Sequence, residues 1–255
     1  MEDGKNIGAY LSRISVADIN LSPTLETLRM LQTRHLLSVP FENLDIHWKR
    51  PIVLDIERFC EKIVGNRRGG FCYELNGLFN ELLKEIGFQT RFVSARVFGG
   101  ERGFGPEFDH AAIIVSIDEK DHLVDVGFGD FAAEPLEIEN GIEQVDREGS
   151  FRINAVEDGS FVVQKKHGDE WRPGYMFGTE GRELSEFAAM CDFQQYSPQS
   201  HFTKGKLCSL MTSTGRKTLT DKSFIETSNG ERVETSVGSE ESFSEILKRE
   251  FGISQ

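Results

Sequence analysis

None of the four cysteines, Cys60, Cys72, Cys191 and Cys208, stands in a CxxC pair, so no metal site built on paired cysteines is expected. The N-terminus lacks an apolar h-region and no stretch reaches 18 apolar residues. That argues against a signal peptide and a membrane span. Basic runs are missing too. Lys and Arg are interspersed with acids and the formal net charge is -13, so no nucleic-acid partner is expected. There is no internal repeat, low-complexity tract or flexible linker, and no GxGxxG or P-loop in a phosphate-binding context. The expectation is a soluble, reduced, cytoplasmic protein with free thiols, no metal and no membrane partner.

What is present is enough for a sizeable core: 255 residues, 38% hydrophobic, with 20 Phe. The first third reads helical. Ile7, Tyr10, Leu11 and Ile14 form one apolar stripe. Ser22-Pro23 reads as a cap with proline at the first helical position, and Pro40 as the stop. A third helix is expected from Asp55, burying Ile56, Phe59, Cys60, Ile63 and Val64. A fourth follows Cys72 and stops at Gly87. After Gly87 the apolar period falls from 3.6 to 2. Strands are expected over 92–97, 111–117, 123–126, 151–155, 161–164 and 171–177, an antiparallel meander able to curl into a small barrel. The last third is mixed, with short strands at 207–211, 218–220 and 224–227, a tight turn at Asn229-Gly230, and a helix from Ser239 to Gly252.

Arg67-Arg68-Gly69-Gly70-Phe71-Cys72-Tyr73-Glu74-Leu75-Asn76 carries the most information. A glycine turn enters a helix whose apolar residues Leu75, Leu78, Phe79, Leu82, Leu83 and Ile86 share one face. Cys72 falls in the first turn, where unsatisfied N–H groups and the dipole favour an anion. The dipole predicts a lowered thiol pKa. Cys60 fits an inert buried thiol, and Cys191 and Cys208 have no motif around them. For Cys72 the local sequence leaves two readings open, an inert thiol or a nucleophile.

A cysteine nucleophile needs a base, and the base an orienting group. His110 opens an apolar strand directly after the Gly99 to Pro106 loop. Asp125 is the one acid inside Leu-Val-Asp-Val, where burial demands a partner. A hairpin reversing between Ile117 and Asp118 puts the two side by side. A reversal between Glu119 and Lys120, toward which the polar run Asp118 to Asp121 pulls, separates them by four residues, roughly 13 Å. A triad therefore predicts the earlier reversal, or a bulge. In Val39-Pro40-Phe41-Glu42-Asn43-Leu44-Asp45, Glu42 is expected to pair with Arg68 as structural support for the Cys72 loop.

These blocks together resemble the arylamine N-acetyltransferases. The resemblance rests on residues 35–45, Arg68 to Asn76, His110, Asp-Val-Gly-Phe-Gly (125–129) and Ser-Pro-Gln-Ser-His-Phe (197–202), in order over nearly the whole chain. It implies an α+β fold with a helical bundle (1–88) carrying the nucleophile, an antiparallel β-barrel (89–200) carrying His and Asp, and an α/β lid (201–255), on a cysteine-protease-like core. It implies Cys72 as nucleophile, His110 as base and Asp125 as orienter. Acetyl-CoA would be the donor, a co-substrate rather than a permanently bound cofactor, and an arylamine or arylhydrazine the acceptor. Phe128, between Gly127 and Gly129, is either an acceptor contact or an ordinary packed ring. Phe108, Thr214 and Gly215 are named as CoA contacts. A macrolactam-forming amide synthase, a cysteine hydrolase on the same triad and a non-catalytic binding protein stay open as alternatives.

Overall fold

Local signals in the chain decide where most helices begin and end in the computed structural model, which describes residues 5–16 and 21–255. Helices α1 (Lys5–Arg13) and α2 (Leu25–Ser38) precede strand β1 (Phe41–Glu42) and a short helix α3 (Leu44–His47). Helix α4 (Ile56–Cys60) runs on into a π-helical turn, Glu61–Gly65, and α5 spans Cys72–Ile86. Strands β2 (Gln89–Val97), β3 (His110–Ile117), β4 (Lys120–Val124), β5 (Leu136–Glu137), β6 (Gln144–Asp146), β7 (Gly149–Ala155), β8 (Phe161–His167) and β9 (Glu170–Phe177) follow. Helix α6 (Ala188–Tyr196) leads to β10 (Leu207–Thr212), β11 (Gly215–Thr220), β12 (Ser223–Ser228), β13 (Glu231–Ser236) and helix α7 (Glu240–Phe251).

The caps are chemical. The Asp55 carboxylate accepts from Arg58 N at 3.0 Å and starts α4. The Ser239 hydroxyl accepts from Ser242 N at 3.2 Å and starts α7. Gly87 (φ 104) and Gly252 (φ 69) close α5 and α7 in the left-handed region, where glycine carries no Cβ penalty. At α2 the expectation fails by two residues. The cap is Thr24, whose hydroxyl accepts from Thr27 N at 3.2 Å, so Ser22 and Pro23 lie outside the helix.

The eight strands β5-β4-β3-β2-β9-β8-β7-β6 form one antiparallel, nearly closed sheet. Its two edges are joined by a side chain: Gln144 Oε1 accepts from Glu137 N at 2.8 Å and Gln144 Nε2 donates to Glu137 O at 2.9 Å. Val93, Ala112, Ile114, Leu123, Phe151 and Tyr175 fill the interior. The opposite face of β2–β4, through Phe92, Ile113 and Val124, packs with α5 and the other helices in the main core. The second sheet runs β1-β10-β11-β12-β13 and packs Leu219 and Phe224 against Phe243, Leu247 and Phe251 of α7. Its strand β1 comes from the first third of the chain. Strand β13 and helix α6 were not expected. Every residue of β13 is exposed, so no apolar alternation marks it. Among the described residues no helix is long and apolar enough to cross a membrane.

The β3–β4 register corrects the expected reversal. Ile117 pairs with Lys120 and Ile113 with Val124, so Asp118 and Glu119 alone form the turn. Both have positive φ (49 and 63), the type I′ geometry that matches strand twist. The polar residues drawn into β4 are held there, Asp121 by Ser116 Oγ at 2.6 Å and by Arg91. Asp125 thus lies two residues short of the position facing His110, on the same sheet face, a diagonal neighbour within reach of a long side chain.

The helical core carries a pH liability. His35 is fully buried, its Nδ1 2.7 Å from the Tyr10 hydroxyl, and Nε2 has no partner among the described residues. Burial, with Arg13 nearby, holds its imidazole down to about 3 from 6.5. The unfolded chain therefore binds a proton first as pH falls below 6.5. Stability is expected to fall by up to about 1.4 kcal/mol per pH unit from this group until the folded value is reached. Urea unfolding of His35→Gln against wild type between pH 7 and 4 measures it. Parallel pH profiles would assign the acid sensitivity elsewhere.

Candidate active site

Cys72 is the first residue of α5 and is buried. The first of the two glycines before it is required by a close chain approach. A Cβ on Gly69 would lie 2.0 Å from Pro40 O. Gly70 N donates to Pro40 O at 3.3 Å, and Glu42 N donates to Gly70 O at 2.8 Å. The Pro40 to Asp45 segment is thereby laced to the entrance of α5.

A buried charge cluster holds that entrance. Arg68 Nη2 lies 2.5 Å from Glu42 Oε1, and Arg68 Nη1 2.9 Å from Asp45 Oδ1. Lys62 Nζ lies 2.8 Å from Asp45 Oδ2 and donates to both Glu74 oxygens at 2.9 Å. Glu74 Oε2 also accepts from Phe71 N at 3.0 Å, which caps the helix that starts with Cys72. Burial works against the Lys62 ammonium, but Glu42, Glu74 and Asp45 together hold its pKa above the ordinary value. Burial pushes the Glu74 carboxyl up, and Lys62 opposes the rise. Asn43 adds a tie to the far end of the chain. Its Nδ2 donates to Phe202 O (3.0 Å) and Gly205 O (2.9 Å), and its Oδ1 accepts from Leu207 N (2.7 Å).

His110 and Asp125 meet despite the diagonal register: Nε2 lies 2.7 Å from Oδ2, with both residues buried. Asp125 is the hub. Its Oδ2 also accepts from the Tyr175 hydroxyl at 3.0 Å, and its Oδ1 accepts from Asn76 Nδ2 and Gly127 N, each at 2.8 Å. Four donors thus compensate one buried carboxylate. Asn76, one helical turn beyond Cys72, also donates to Ala111 O at 2.7 Å and accepts from Val126 N at 2.9 Å. One amide side chain therefore joins α5 to β3, which carries His110, and to the Asp125–Val126 segment that follows β4. Sequence reasoning did not assign Asn76 or Tyr175. Asn76 lay inside the quoted motif, whereas Tyr175 had no local signal.

Cys72 and His110 line one cleft of about 370 Å³, together with Gly127, Phe128 and Gly129. The Phe128 ring stands edge-on to His110 (centroids 5.2 Å) and to Tyr175 (5.1 Å), so it is both packed and cleft-facing. Burial pushes the Cys72 thiol up, and the charges of Asp125 and Asp109 add to the rise. A backbone interaction with Ala111 opposes it. The dipole-based expectation of a lowered value is thus reversed, because desolvation outweighs one helix end. A thiolate here needs a protonated His110 as its partner. Burial likewise pushes Cys191 up to about 12 and raises Cys60 and Cys208.

The expected CoA contacts Phe108, Thr214 and Gly215 do not line this cleft. Phe108 packs on Phe187 (5.1 Å) while its backbone bonds Ser94 and Tyr73. Thr214 sits in the β10–β11 turn and accepts from Ser228 Oγ. Gly215 is a glycine because a Cβ there would lie 2.1 Å from Thr227 O. The cleft instead takes Ser209, Arg216 and Thr218 from that hairpin. Among the described residues no cluster of three His, Cys, Asp or Glu is arranged to hold a metal ion.

Gly127 sets how closely strand and helix approach. An added Cβ would lie 2.7 Å from Asn76 Nδ2 and 2.8 Å from Cys72 Cα. Gly127→Ala is expected to destabilise the fold by about 1–3 kcal/mol and to lower turnover at least about tenfold. Steady-state kinetics beside urea unfolding checks this, and wild-type values in both would mean that the contact relaxes freely.

A family model described as N-acetyltransferase matches residues 24–255. The arylamine N-acetyltransferase / N-hydroxyarylamine O-acetyltransferase of Salmonella typhimurium is 33% identical over 249 residues, covering 96% of this chain and 88% of the relative. A solved structure of arylamine N-acetyltransferase from Salmonella typhimurium superposes with a TM-score of 0.92 at 31% identity, covering 98% of this chain and 92% of that one. The Mycobacterium marinum arylamine N-acetyltransferase, solved in complex with CoA, superposes with a TM-score of 0.88 at 29% identity, covering 97% and 92%.

Proposed function

Because this chain belongs to the arylamine N-acetyltransferase family, whose activity is acetyl transfer to arylamines, we propose that it works by a two-step exchange through acetyl-Cys72, with acetyl-CoA as donor and an aromatic amine or hydrazine as acceptor. The observation that carries the reading is the buried Cys72 in one cleft with a His110 whose Nε2 is held by Asp125.

The Asp125 bond leaves Nδ1 of His110 to exchange protons with the reacting groups. As the Cys72 sulfur attacks the thioester carbonyl, its proton passes to His110, and Asp125 stabilises the imidazolium. The backbone N–H groups of the first turn of α5 stabilise the oxyanion. The intermediate collapses, the C–S bond to CoA breaks, and His110 returns the proton to the departing thiolate. In the second step the amine nitrogen attacks the acetyl-cysteine, His110 takes the proton from nitrogen, and the Cys72 thiol is restored. Thioester exchange is nearly isoenergetic, so no external energy source is needed. The rings of Phe41, Phe128 and Phe202 along the cleft keep water from the thioester and offer a surface for an aromatic acceptor.

Intact-mass measurement after incubation with acetyl-CoA tests the reading. The expected result is a gain of about 42 Da on the peptide containing Cys72, lost when an arylamine is added. Folded protein that stays unmodified would overturn it.

A further inference from the structure

The edge of a sheet presents unpaired backbone N–H and C=O groups, and folded proteins cover or close most such edges. In this fold β5 and β6 close on each other through the Gln144 side chain. Strand β1 is two residues long and is covered by Gly70, which bridges to Phe41 and accepts from Glu42 N at 2.8 Å. The remaining edge is β13, which ends its sheet beyond β12. All six of its residues are exposed, and among the described residues no other strand pairs with it.

The hairpin fixes which of its backbone groups face outward. Asn229 and Gly230 both have positive φ (51 and 85) and form a two-residue turn, so Ser228 and Glu231 are a hydrogen-bonded pair. Bonding alternates from there. Glu231, Val233 and Thr235 bond to β12, and Val237 N continues the series by donating to Lys222 O at 2.8 Å. The N–H and C=O groups of Arg232, Glu234 and Ser236 therefore point away from the sheet.

An antiparallel partner must set its own outward residues opposite these. A second copy of the same strand does so with matching charge. With a twofold axis at Val233, Arg232 of each copy lies opposite Glu234 of the other. Moving the axis to residue 232 sets Arg against Arg, and moving it to 234 sets Glu against Glu. In the register centred on Val233, the two Val233 side chains meet in the closer, non-hydrogen-bonded pair, and each is 61% exposed in a single copy. Arg232 Nη2 already lies 2.9 Å from Glu234 Oε2 within one copy, so pairing would join two such ion pairs into one cluster.

We propose that β13 is a self-association edge, through which two copies of this chain pair antiparallel about a twofold axis at Val233 and join their five-stranded sheets into one. The contact uses the same strand on both copies, so it closes at a dimer and leaves no open edge to propagate. A six-residue edge buries less than the ~1,200–2,000 Å² of a standard interface, so the dimer is expected to be reversible, with a dissociation constant of about 0.1 mM. It stands or falls independently of the acetyl-transfer reading.

Sedimentation velocity of the full chain from about 5 to about 500 μM, in about 0.15 M salt to screen the repulsion between copies of net charge -13, tests the proposal. Wild type is expected to pass reversibly from monomer to dimer over that range. Glu234→Pro removes an outward N–H and no bond to β12, so it should stay monomeric with its circular dichroism unchanged. Arg232→Glu alone sets Glu against Glu across the axis, and Glu234→Arg alone sets Arg against Arg, so each should weaken the dimer about tenfold or more. Mixed in equal amounts the two variants are complementary, and the mixture should regain wild-type dimerisation. This arm decides the matter even if Glu234→Pro fails to fold. Wild type that stays monomeric at the highest concentration overturns the proposal. So does a dimer that survives in folded Glu234→Pro, since the contact would then lie elsewhere. A mixture no more dimeric than its separate components overturns the register and with it the proposal.

Discussion

Replacing Cys72 with alanine is expected to abolish acetyl transfer while the protein stays folded. The thiol occupies the first turn of α5 in the main core, and removing one sulfur atom costs about 1 kcal/mol of packing. The entrance to the helix is held by other groups, chiefly the Glu74 cap and the Arg68–Glu42 pair, so the backbone has no reason to move. The chemistry has no substitute. The next cysteine, Cys191, has its sulfur against Gln195 Nε2 at 3.2 Å and burial raises its pKa. Cys72→Ser should fare no better, because a hydroxyl in the same desolvated turn is far harder to ionise than a thiol. Turnover with acetyl-CoA and an arylamine, beside far-UV circular dichroism, makes the measurement. A folded Cys72→Ala protein retaining more than about a thousandth of wild-type turnover would show that another group carries the acetyl.

Asp125→Asn is expected to lower turnover by about 10³–10⁴-fold and to destabilise the fold by about 2–4 kcal/mol. Four donors point at this carboxylate, from His110, Tyr175, Asn76 and Gly127. An amide can accept on one side only. Its NH₂ must face either the Tyr175–His110 side or the Asn76–Gly127 side, and donor then meets donor. Facing His110, it also forces the ring to carry its proton on Nδ1, so that nitrogen can no longer take one from Cys72. The charge that stabilises the imidazolium disappears in either orientation. Steady-state kinetics with urea unfolding separates the two effects. Full activity in a destabilised variant would leave Asp125 a structural residue only.

The parts of this fold legible in the chain are those that depend on neighbours a few residues away. The apolar face of α5, the Asp55 and Ser239 caps and the Gly87 and Gly252 stops all follow from local periodicity or local hydrogen bonding. Strand β13 was not legible because its six residues are exposed on both faces, so no burial pattern was written into it. The hairpin register lies between the two reversals open to the sequence, because the polar run Asp118 to Asp121 reads as loop. Arg91 and Ser116 hold Asp121 in the sheet instead, and only two residues turn.

The candidate site divides along the same line. Cys72, His110 and Asp125 announce themselves by their settings: a cysteine at a helix start, a histidine at a strand end, an acid inside an apolar run. The ordered motifs carried the resemblance to the family, and that resemblance singled out three candidate positions. The tertiary structure alone decided that Asn76 and Tyr175 converge on Asp125, that Gly69 and Gly127 are glycines because other chain segments pass within contact of them, that the thiol is raised rather than lowered, and that Arg216 rather than Thr214 or Gly215 enters the cleft. The physical reason is range. Periodicity and capping act within a few residues, whereas desolvation and convergence on a buried charge depend on groups up to about a hundred residues apart that only folding brings together.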